Sequence, residues 1–167
     1  FSSAGHAKST GFEVSLKVPR SWKSQEGDRP HIVQKWMSQD GTGKMTIMLQ
    51  IHDAPVADLA REDVDEIVTS GDYTGILPEG GRGFDAARVV LDAREALRFD
   101  SVISAERLDK TYQIHGRSYM TIVEGRFVSL QCQTLRGETE EARLEALRAL
   151  APLCDLIANT MVFPAQY

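Results

Sequence analysis

Long apolar runs are missing from this chain: charges interrupt its hydrophobic stretches every few positions, so nothing approaches the roughly 18 apolar residues of a membrane-spanning helix. An excess of basic residues is also missing. With 19 Lys and Arg against 24 Asp and Glu, the net charge of −5 gives no basic face for nucleic acid or an anionic lipid surface. Cysteine is nearly absent, with two in 167 residues, and neither Cys-x-x-Cys nor His-x-x-x-His spacing occurs among Cys132, Cys154, His6, His31, His52 and His115. The spacings of a zinc site are therefore lacking, and no metal or cofactor is expected.

Catalytic signatures are lacking in the same way. There is no Gly-x-Ser-x-Gly elbow, and the glycine-rich stretch Tyr73 to Phe84 is followed by no Gly-Lys-Ser/Thr. His52 before Asp53 sets an imidazole beside a carboxylate with no nucleophile in view, which reads as the polar end of a strand. Glu62, Asp63, Asp65 and Glu66 fall on the outward side of a helical stripe, a solvated face and not an acid–base pair. No catalytic residue is assigned.

What is present describes one globular domain of ordinary size, residues 10–167, after a leader over 1–9 expected to be loose. Small residues at Gly5 and Ala7 suit the tail of a secretory signal, so export to the periplasm or exterior is expected, with a cytoplasmic location as the alternative. Phe12, Val14, Leu16 and Val18 alternate with Glu13, Ser15 and Lys17, predicting a first strand with one dry side, and Pro19 to Trp22 a turn that ends it. His31–Ser38 and Lys44–Ile51 are predicted strands joined through Gln39–Gly43, completing an antiparallel meander. A surface helix is expected over 58–70, its apolar stripe Leu59, Val64, Ile67 and Val68, with Gly71 as its stop.

From Ala87 to Gln133 the pattern is one of successive strands: Arg88–Leu91, Arg98–Arg107, Thr111–Val123 and Phe127–Gln133, the last pair turning at Glu124-Gly125. Asp92–Leu97 reads equally as a helical turn or as strand. The strongest helix is expected over 138–161, with Leu144, Leu147, Leu150, Cys154, Ile157 and Met161 on one face and a kink or split where Pro152 removes a backbone donor.

Both cysteines point inward in these patterns. If the last helix packs on the strand before it, Cys132 and Cys154 could bridge, closing a loop of about twenty residues with an entropy term on the order of 3 kcal/mol; two buried free thiols are the other reading. Tyr73, Arg82 and Phe84 on the glycine-rich loop, with Arg117 and Tyr119 on the long strand, are the candidate partner- or ligand-facing residues.

The Phe-x-Val-x-Leu-x-Val strand, Pro19-x-x-Trp22, the covering helix, the strand ending in Gly125-Arg-Phe-Val-Ser-Leu and the closing Met161-Val-Phe163-Pro together resemble the PsbP-like superfamily. That group includes the extrinsic subunit of photosystem II, Mog-type Ran-binding proteins, DcrB-type bacterial lipoproteins and adaptors that chaperone secreted effectors. The resemblance implies an α+β fold, an antiparallel sheet in an α/β/α sandwich, and non-catalytic binding or accessory work. An envelope protein with an unidentified protein partner, as monomer or homodimer, is the expectation. The alternatives are a cytoplasmic chaperone or adaptor for a secreted effector, and an enzyme without a recognisable motif.

Overall fold

The computed structural model describes residues 1–38, 44–107 and 109–167. Seven strands, β1 Lys23–Glu26, β2 Ile32–Met37, β3 Met45–Asp53, β4 Arg82–Leu91, β5 Arg94–Arg107, β6 Lys110–Val123 and β7 Arg126–Thr134, form one sheet in the order β1-β2-β3-β7-β6-β5-β4. All neighbours are antiparallel. Helix α1, Arg61–Ser70, lies in the connection between β3 and β4, and helix α2, Glu140–Ala158, follows β7. The expected connection Gln39–Gly43 falls outside the described residues.

Period-2 alternation divides the sheet into two faces. Trp36, Ile47 and Cys132 stand in one cross-strand row, Leu49 and Leu130 in the next, and they share a core with Leu150, Cys154, Ile157 and Ala158 of α2. On the other face Leu97, Phe99 and Met120 pack against Val64 of α1. Helices on opposite faces of an antiparallel sheet make the α/β/α sandwich expected from the sequence.

Several expectations are corrected. The segment Phe12–Val18 buries Phe12, Val14 and Leu16 as the alternation requires, yet it forms no ladder in the sheet. It is held by single bridges from Ser15 to Ser2 and to Val162, and it closes over the α2 face. The edge strand is instead Lys23–Glu26, whose residues are all exposed. Residues 1–9 are not loose. Ser3 and Ser9 are buried, Ser3 Oγ bonds the backbone of Phe12 and Val14, and the Phe1 ring meets Trp36 edge-on at 5.2 Å.

Helix α2 runs unbroken from Glu140 to Ala158 through Pro152, capped by Thr139, whose hydroxyl accepts from the Ala142 N–H. Proline stays in the interior because its ring faces solvent there and only the Arg148 carbonyl loses its helical donor. Asp92–Leu97 is neither helical turn nor pure strand: Asp92 and Ala93 form a tight turn, both at positive φ, and Arg94 opens β5. Glu124-Gly125 makes the expected hairpin turn, at φ 51° and 72°.

Candidate functional site: a trough on the α1 face of the sheet

Helix α1 and the loop after it cover only the β4–β5 end of their face, leaving the middle of the sheet open. The open floor is set by strand register. Lys35, Met48, Gln131, Ser118 and Phe99 form one cross-strand row, and Thr46, Gln133, Gly116 and Ser101 the next. Ile76, Leu77 and Pro78 of the loop wall one side, with Ile103 and Ile114 beneath them, and Asp28, Arg29 and His31 close the far end. The enclosed space is about 460 Å³.

Apart from Lys35, which is paired with Asp28, the floor is polar without being charged. Gln133 Nε2 donates to Gln131 Oε1 at 3.3 Å, while the hydroxyls of Ser101 and Ser118 have no side-chain hydrogen bond among the described residues. Open hydroxyls and amides next to an apolar wall can hydrogen-bond one side of an extended ligand and cover the other. At the end of the trough, burial pushes the His31 imidazole below its usual range, helped by His52 and Arg29, so His31 is neutral at neutral pH. The Asp28 carboxylate is tied to Lys35, which holds it below the ordinary range.

The loop that walls the trough is built on Tyr73. Its carbonyl accepts from the N–H groups of Ile76 and Leu77, and its ring packs on Phe99 at 5.2 Å. Gly83 makes this seat, since a Cβ there would lie 2.4 Å from Tyr73 Cε2. Burial raises the Tyr73 phenol above its usual range. A second cavity of about 550 Å³ lies within this loop between Tyr73, Leu77, Glu79 and Arg82.

The predicted site residues separate into two groups. Tyr73 is half-buried in the trough wall's foundation, Arg82 is exposed and pairs with Glu140 at 3.2 Å, and Phe84 is half-buried in β4. Arg117 and Tyr119 do not offer an exposed pair: they face α2, on the opposite side of the sheet from the trough. Arg117 grips Asp100 with two bonds of 2.7 and 3.0 Å and reaches Asp155 of α2 at 3.0 Å, while Tyr119, 4% exposed, donates to the same Asp155 carboxylate. These partners hold the Arg117 guanidinium charged and, with burial, the Tyr119 phenol protonated. Odd-numbered positions of β6 share the face of Cys132, and that parity turns both side chains inward.

Cys132 and Cys154 are buried free thiols, and burial raises Cys132 far above the usual thiol range. Sequence reasoning missed Met48, Gln50, Ser101, Ser118, Gln131 and Gln133. Their one available signal was a strand face carrying glutamine and serine where a solvated face usually carries charge.

No protein-family model matches the chain, and no curated protein matches it in sequence. Solved structures do. The fold is similar to the solution structure of cyanobacterial PsbP (CyanoP) from Synechocystis sp. PCC 6803, with a TM-score of 0.57 at 11% identity over 90% of this chain and 86% of that one. It is also similar to LpqN, involved in cell envelope biogenesis of Mycobacterium tuberculosis, with a TM-score of 0.51 at 16% identity over 89% of this chain and 82% of that one.

Proposed function

Starting from a PsbP-like fold, we propose that the protein is a non-catalytic binding and accessory protein of the bacterial cell envelope, which holds an extended segment of a protein partner in the trough. The observation that carries this reading is the floor itself: Ser101 and Ser118 hydroxyls with open hydrogen-bonding capacity stand beside the apolar wall of Ile76, Leu77 and Ile103. An extended segment supplies both halves of the match, amide groups for the floor and side chains for the wall. The envelope assignment draws on the fold shared with LpqN, whose own role lies in envelope biogenesis.

A photo-reactive amino acid at Gln133, on the trough floor, tests the reading in cells of the source organism. The expected result is one discrete protein adduct in the envelope fraction, absent when the same group replaces exposed Leu156 on the outer side of α2. Equal adducts from both positions, none from Gln133, or recovery of the protein in the cytosol would overturn it.

A further inference from the structure

The core between α2 and the sheet contains a chemical pair that the trough does not use. Cys132 lies on β7 between Ile47 and Arg117 in a single cross-strand row, facing α2. Cys154 lies on the buried side of α2, and both residues are fully buried in the same cluster. An ion pair brackets them. Arg117, the cross-strand partner of Cys132, bonds Asp155, the residue after Cys154, at 3.0 Å, and Tyr119 from the same strand donates to that carboxylate. The register of α2 over the sheet is thereby fixed at the level of the two sulfurs. The Cys154 thiol donates to the Leu150 carbonyl at 3.3 Å, and after burial the nearby Cys154 side chain is what raises the Cys132 thiol furthest.

From this juxtaposition we infer that Cys132 and Cys154 are the site of a disulfide that staples α2 to the middle of the sheet, formed while the chain folds in the presence of a disulfide oxidant. The exchange is balanced: the two thiols give up two protons and two electrons, a sulfur–sulfur bond forms between them through a mixed disulfide, and the oxidant's own disulfide is cleaved to two thiols. Timing follows from burial. In the packed core no oxidant reaches either sulfur and the thiolate of Cys132 is scarce, so the bond forms before α2 docks and is shielded from reductants afterwards. The inference goes beyond the trough and does not depend on it.

The test uses the whole chain in two arms. In the first, denatured and fully reduced protein is refolded in a reduced/oxidised glutathione buffer; in the second, protein already folded with its thiols reduced is placed in the same buffer. Both are then denatured, treated with N-ethylmaleimide and weighed intact. The expected result is a monomer lighter by two hydrogens and carrying no label in the first arm, and doubly labelled protein in the second. The oxidised form should also melt roughly 5–10 °C above the reduced form, a difference that vanishes in the Cys132→Ala/Cys154→Val variant. Two labels in both arms, or glutathione adducts without an internal bond, would overturn the inference. Because both arms are run in vitro, failure here is distinct from failure of the envelope or trough reading.

Discussion

Arg117 is held by carboxylates from two strands and a helix, and its guanidinium is close to fully covered. Replacing it with methionine keeps much of the packing but leaves Asp100, 7% exposed, without its cation. Breaking a buried pair from one side costs about 3–5 kcal/mol, whereas neutralising both sides costs much less. Arg117→Met should therefore lower the unfolding free energy by about 3 kcal/mol in urea titrations, and Arg117→Met/Asp100→Asn should recover part of the loss. His115 makes a different prediction. It is 2% exposed with Nδ1 unpartnered among the described residues, and burial, reinforced by Arg143 and Arg82 against Glu140, depresses its pKa. The unfolded chain, titrating near 6.5, then binds more protons than the folded one, so this contribution to stability is complete above about pH 6.5 and is lost as pH falls towards the depressed value. His115→Leu should flatten stability against pH between about 7 and 5, measured by denaturation at each pH; an unchanged slope would assign the dependence to His31.

At the scale of elements, two positions carry avoidable strain or loss. Ala93 sits at φ 63° beside Asp92 at φ 46°, a left-handed pair in which a non-glycine residue costs about 1 kcal/mol. Ala93→Gly should raise stability by about that amount, read from the urea midpoint at constant slope. Pro152 is exposed inside α2, so Pro152→Ala should restore the donor to the Arg148 carbonyl and stabilise by about 1–3 kcal/mol. These same elements show what the sequence could express. The Glu124-Gly125 turn was readable because glycine marks positive φ, whereas Asp92-Ala93 lacks the glycine and its turn was invisible. Alternation at Phe12, Val14 and Leu16 reported burial correctly, but burial says nothing about which backbone a segment pairs with. β1 was hidden for the opposite reason: Lys23, Ser24, Gln25 and Glu26 have no apolar side and no period to detect. The trough was legible least of all, since its floor residues come from β2, β3, β5, β6 and β7 and meet only through register.

At the scale of the whole molecule, the two ends of the described chain meet at Ser15, which bridges both Ser2 and Val162. Removing residues 1–9 takes away the Ser3 bonds to Phe12 and Val14 and uncovers Trp36, so the truncated chain should melt several degrees lower, on the order of 5 °C for a loss near 2 kcal/mol. An unchanged melting temperature in calorimetry would show that this segment lies on the fold without supporting it. Strand order carries a further consequence. β1–β3 and β4–β7 are each meanders of sequence neighbours, and among the described residues the one ladder joining them is β3 with β7, nine matched residue pairs brought together from opposite halves of the chain. Local hairpins close quickly and distant strands slowly, so this seam is expected to form late in folding. Met48 and Gln50 stand on one side of it and Gln131 and Gln133 on the other, so the floor of the trough is complete only once the two halves have zipped together.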